Sequence, residues 1–137
     1  MARILAIDYG IKRCGIAVTD PLKIIAQGVT TVKTPLLMTF LDEYIEKEQI
    51  ECLIVGLPKQ MDNTPSEIEP HISGFIKRFN AKYPSIPTKR IDERFTSIMS
   101  QKTLITAGAT KKQRSKKELI DVISATIILQ TYLAQKQ

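Results

Sequence analysis

The chain has 137 residues, 43% of them hydrophobic and 25% charged, with a formal net charge of +6 at pH 7. That length and balance exclude a disordered chain, and residues 1–137 are expected to form one domain around a single core. The sequence contains no apolar run of the roughly 20 residues a membrane-spanning helix needs, no metal-binding set among two cysteines and one histidine, and no signal-peptide pattern, so a reducing cytoplasm is the expected setting.

Residues 3–7 are predicted to form a buried strand, and Asp8-Tyr9-Gly10 follows at once. A short basic turn, Ile11-Lys12-Arg13-Cys14, separates it from a second strand over 15–19. A carboxylate at the mouth of a central strand is costly to desolvate unless a positive group sits beside it. Asp8 therefore suggests a cation or phosphate site, although Asp before Gly is equally ordinary turn chemistry. A third strand over 28–33 carries Val29 and Val32 among threonines, as an edge strand would. Thr34-Pro35 is predicted to start a helix reaching Gln49, with Leu37, Leu41, Tyr44 and Ile45 on one face.

Residues 51–57 form a continuous apolar run ended by Pro58, the mark of a strand covered on both faces. A helix over 66–82 presents Ile68, Ile72, Phe75, Ile76 and Phe79 as its buried stripe, with His71 decorating it. A short strand over 87–91 follows, then a helix capped by Thr96 and running to 107, and a last helix over 117–135. Three consecutive strands followed by alternating helix and strand predict a mixed α/β sheet with helices packed on it.

Two further acids attract attention. Glu93 directly follows the strand at 87–91, and Asp121 interrupts the most apolar helix of the chain. Small residues at Ser124 and Ala125, one turn on, would let that helix press against the sheet and aim Asp121 at the strand ends; a solvent-facing Asp121 beside Lys117 is the alternative. Three carboxylates brought together repel, and one takes up a proton unless a cation intervenes. Mg²⁺ or Mn²⁺ favours such hard oxygen ligands, and one or two ions activate water for phosphodiester hydrolysis.

The charge is uneven: Lys102, Lys111, Lys112, Arg114, Lys116 and Lys117 fall in one stretch without an acid, and the rest of the chain is neutral. Lys12 and Arg13 beside Asp8, together with Lys111, Lys112, Arg114, Lys116 and Lys117, are the expected contacts to a nucleic-acid backbone. A stretch kept basic for solubility alone is the bland alternative.

The motifs Asp8-Tyr9-Gly10-Ile11-Lys12-Arg13-Cys14-Gly15, Val55-Gly56-Leu57-Pro58 with Met61-Asp62-Asn63-Thr64, Asp92-Glu93-Arg94-Phe95-Thr96, and Asp121 with Ala125-Thr126-Ile127-Ile128-Leu129-Gln130 resemble the YqgF/RuvX family. The resemblance covers nearly the whole chain, with four motifs in order. It implies an RNase H-like fold: a central five-stranded mixed sheet, its first three strands antiparallel, with helices on both faces. It implies Asp8, Glu93 and Asp121 as catalytic acids and metal ligands of a nuclease. The implied substrate is structured RNA at the 5′ end of pre-16S rRNA, in ribosomal precursor particles, or alternatively a four-way DNA junction cut by a homodimer rather than a monomer. Two departures stand out: Asn63 replaces the usual Gly, and Ser124 occupies the position where RuvC-type resolvases carry a fourth acid.

Two other classes stay in view. The Asp-x-Gly hairpin also resembles the phosphate-binding hairpin of actin-like ATPases and sugar kinases, which need a second domain for which 137 residues are expected to leave no room. A non-catalytic RNA-binding module would keep the basic stretch but has no use for three clustered acids.

Overall fold

The structure, a computed structural model, describes residues 2–58, 66–93 and 116–136. The expected helix over 96–107, Arg94, the motif at 61–64, and Lys102, Lys111, Lys112 and Arg114 lie outside the described residues. Lys116 and Lys117 begin the last helix, and only their backbone is described.

Five strands form one sheet: β1 (Arg3–Asp8), β2 (Arg13–Thr19), β3 (Ala26–Lys33), β4 (Ile50–Leu57) and β5 (Thr88–Asp92), in the order β3-β2-β1-β4-β5. The first three are antiparallel neighbours, whereas β1, β4 and β5 run parallel. The parallel strands therefore end on one edge of the sheet, where ligands of open α/β sheets collect.

Strand alternation divides the core in two. Leu5, Ile7, Ile16, Val18, Leu53 and Val55 pack beneath helices α1 (Leu37–Lys47) and α2 (Glu69–Lys82), through Leu37, Leu41, Ile72, Phe75 and Phe79. Ile4, Ala6, Ala17, Cys52 and Ile54 face the opposite way, against Ala125, Ile128, Leu129 and Tyr132 of helix α3 (Lys116–Lys136). The continuous apolar run of β4 is thus explained by cover on both sides. Cys14 and Cys52 are both buried, and neither is in a disulfide. Among the described residues, no helix is long and apolar enough to cross a membrane.

Helix boundaries differ from expectation in two places. Thr34–Leu36 form a 3-10 turn, and α1 runs only from Leu37 to Lys47, because Glu48 turns extended and donates its N–H to the Tyr44 carbonyl. Helix α2 starts at Glu69 rather than at 66. Pro70 explains this: with no N–H to give, it fits the first turn but not the position four residues inside a helix begun earlier.

Candidate active site

Asp8 closes β1, flanked by Gly15 on β2, directly opposite it in register, and by Gly56 on β4. Alternation sends all three toward the α3 face, with Ala6, Ala17 and Ile54. Each glycine admits a neighbour that a side chain would exclude.

A Cβ on Gly15 would overlap the backbone carbonyl of Asp121. The helix backbone thus lies on bare strand, and at this crossing α3 carries its acid to the sheet. Gly28, on β3, makes similar room for Val122, and buried Ala125 continues the close face. Small residues in the helix were foreseen; the matching small residues in the sheet were not.

On the other flank, β4 separates β1 from β5, so an acid after β5 must cross β4 to meet Asp8. Glu93 does so over Gly56, where a Cβ would stand 2.6 Å from its Cδ and 2.7 Å from Oε2. Asp8 and Glu93 share a hydrogen bond. Burial, then the charge of Glu93 and this bond, hold the Asp8 carboxyl well above its ordinary value of 3.8, with Asp121 adding a smaller push. Burial likewise raises Glu93, while accepting the bond from Asp8 and facing Arg90 oppose the rise. Both shifts run in the direction that favours a proton held by the pair over two bare charges. Substituting Gly56 with alanine should displace only the flexible end of Glu93. The expected result is an unchanged thermal midpoint with cleavage reduced on the order of 10²-fold, since a displacement near 1 Å costs about that much.

Asp121 stands apart from this pair. Its Oδ2 accepts the Nε–H of Arg13 at 2.5 Å, and the two side chains are 19% and 29% exposed. Burial raises the Asp121 carboxyl and the bond to Arg13 lowers it again. Arg13 is firmly placed: Thr34 donates its N–H to the Lys12 carbonyl at 3.0 Å and its hydroxyl to the Gly10 carbonyl at 2.7 Å, pinning the turn. Lys12 is exposed at the tip of the same turn. An open groove of about 440 Å³ lined by Gly10, Ile11, Lys12, Arg13, Ile68 and Asp121 runs alongside.

Arg90 was missed from sequence. Its guanidinium pairs with both oxygens of Glu69 (2.9 and 2.8 Å) and donates to the carbonyls of Gly56 (2.9 Å) and Val55 (3.3 Å). It ties α2 to the end of β4 directly under the crossing of Glu93. Alternation with buried Ile91 was its only sequence signal.

The structure therefore gathers Asp8 and Glu93, and brings Asp121 and Arg13 to their side. As they stand, the described residues offer no group of three His, Cys, Asp or Glu side chains arranged to share an ion. The donor set nevertheless fits a hard divalent cation. Burial holds both carboxyls above their ordinary values, a divalent cation would favour their charged forms, and Asp121 already interacts electrostatically with Asp8.

Comparison with known proteins bears on this arrangement. The family described as RuvX, Holliday junction resolvase, matches residues 2–135. A candidate pre-16S rRNA nuclease of Christiangramia forsetii is 57% identical over 133 residues, covering 97% of this chain and 98% of its own. Its counterpart in Bacteroides thetaiotaomicron is 51% identical, covering 100% and 99%. Among solved structures, Thermus thermophilus RuvC in complex with a Holliday junction substrate aligns with a TM-score of 0.60 at 15% identity, over 98% of this chain and 96% of that one. The yeast mitochondrial Holliday junction resolvase Ydc2 aligns at 0.61 and 10% identity, over 96% and 78%. At such identities the structures speak to the fold, which is the RNase H-like fold expected above.

Proposed function

The chain belongs to the RuvX family, and from that premise we propose that it is a single-domain nuclease, dependent on Mg²⁺ or Mn²⁺, that processes the 5′ end of pre-16S rRNA. The observation that carries this reading is the acid pair Asp8–Glu93, buried and hydrogen-bonded across Gly56, with Asp121 beside it on the carboxyl edge of the sheet. The names of the relatives supply the RNA substrate.

In this reading Asp8, Glu93 and Asp121 would hold one or two ions, Asp8 being the central acid of the set. Such an ion would supply Lewis acidity at phosphorus and a lowered pKa for the attacking water. Asp8 and Glu93 would act there in their charged forms. Gly15 and Gly56 keep the acids within reach of one another, and Arg90 holds the floor under Glu93. Lys12 and Arg13 bind phosphate at the groove, and the basic residues Lys111, Lys112, Arg114, Lys116 and Lys117 contact the nucleic-acid backbone at large, giving salt-dependent affinity without sequence preference. Water adds across a P–O bond; its oxygen stays on phosphorus and a proton passes to the leaving oxygen. The protein is expected to act in the cytoplasm on ribosomal precursor particles.

The family description favours a second reading, symmetric nicking of a four-way DNA junction by a two-fold dimer. One assay separates the two: end-labelled pre-16S leader RNA and a four-way junction are offered side by side with Mg²⁺ or Mn²⁺. Cleavage of the RNA alone supports processing, and paired symmetric nicks in the junction reverse the ranking. Inertness toward both overturns the nuclease reading in favour of a binding module. Thermal stabilisation by nucleotide would instead point to the ATPase-like alternative.

A further inference from the structure

The ion pair between Arg13 and Asp121 joins two groups that each have a rival partner, a cation for Asp121 and a phosphate for Arg13. Asp121 needs a cation, and in this structure Arg13 is that cation. Arg13 lines the open groove with Lys12, so a phosphate entering there meets two positive side chains. The same phosphate is repelled by Asp121, which lines the groove as well. The backbone at Arg13 has little freedom to adjust. The Thr34 bonds hold the turn on both sides, and a Cβ on Gly10 would already overlap the Arg13 carbonyl. What can move is the guanidinium on its flexible stem.

Resting on the nuclease reading, we infer that Arg13 is a positioning residue that exchanges partners: it caps Asp121 in the free protein, transfers to a substrate phosphate in the groove, and thereby releases Asp121 to the metal. Phosphodiester and divalent cation then bind with positive coupling. A substrate that takes Arg13 leaves a carboxylate in want of a cation, and a cation that takes Asp121 leaves a guanidinium in want of an anion. Linkage makes the effect reciprocal and of equal size in both directions. The acid pair Asp8–Glu93 alone would hold an ion loosely, so the complete site assembles only around substrate.

The test is Mn²⁺ affinity of the full chain, read from the free-ion electron paramagnetic resonance signal. It is measured with and without a 2′-O-methyl phosphorothioate RNA strand that resists cleavage. For the wild-type chain the strand should tighten Mn²⁺ binding by roughly 10-fold, and an uncharged methylphosphonate strand should not. Arg13→Gln should bind Mn²⁺ roughly 10-fold more tightly than wild type without any strand, and adding the strand should then change little. Arg13→Met, which keeps the apolar stem, provides the same comparison should the glutamine variant lose its thermal transition. Variants that bind Mn²⁺ no better than wild type, or that keep the coupling, overturn the exchange while leaving the metal site standing. A wild-type chain that takes up no Mn²⁺ under either condition overturns the metal site, and the exchange with it.

Discussion

Asp8→Asn should lower phosphodiester cleavage on the order of 10³-fold or more while raising the stability of the metal-free protein at neutral pH. The two effects have one cause. Asp8 and Glu93 are both held above the usual carboxylate range, chiefly by burial, so the folded chain keeps protons that the unfolded chain releases. Stability then falls as pH rises from about 4, where unfolded carboxylates ionise, through the raised values of the folded pair. Below that window the contribution is complete; above it, the fold must hold charge where solvent cannot screen it. Asparagine removes one ionisable group and can donate a hydrogen bond to the Glu93 carboxylate. In metal-free buffer, melts from pH 4 to 8 should show the variant overtaking wild type as pH rises, the two converging near pH 4. Added Mn²⁺ should reverse the order, because an ion bound only to the folded wild type stabilises it by mass action. RNA binding at low metal should be nearly unaffected, since the contacts assigned to phosphate lie on Lys12, Arg13 and the basic stretch. A variant that cleaves normally, or wild-type stability that climbs from pH 5 to 7 without metal, would falsify the shared-proton account.

Gly15→Ala should be the most destabilising single-methyl change in the described chain. The added carbon meets the Asp121 carbonyl and the adjoining helix backbone, not a rotatable side chain, so the clash cannot be relieved by a rotamer change. Either α3 lifts from the sheet or β2 bends away from it, and α3 contributes much of one face of the core through Val122, Ala125, Ile128, Leu129 and Tyr132. Overpacking of this kind costs about 1–3 kcal/mol, a fall in Tm on the order of 10 °C for a domain of this size. Activity should fall further than stability, because Asp121 moves with the helix. An alanine variant that melts with wild type would mean that the helix does not sit as close as described. Gly56→Ala makes the useful contrast, combining a similar loss of activity with little loss of stability.

Much of this was legible in the amino-acid order. The β4 run announced a strand covered on both sides, and the three acids stood out as charges at strand mouths or within an apolar helix. Two things were hidden. Periodicity reports which face a residue occupies but not which strands are neighbours, so Gly56 could not be recognised as the gap beneath Glu93 until β4 was found between β1 and β5. Arg13 was read as a phosphate contact because its neighbours in sequence are a turn; the carboxylate it meets lies 108 residues away. The helix starts were misplaced for a local reason: Pro35 and Pro70 both mark first turns, but one opens a 3-10 turn and the other a helix three residues later than expected.

That separation of 108 residues between Arg13 and Asp121 also has a consequence for biogenesis. The first acid is made with the opening hairpin and the last only with the final helix. Loop closure over such a span comes late and slowly, after local hairpins and helices have formed. A growing chain that has reached only Glu93 would carry β1 to β5 and the pair Asp8–Glu93, but neither Asp121 nor the helix that carries it. On the proposed nuclease reading, hydrolytic competence would come only once the helix carrying Asp121 has been made and has docked on the sheet.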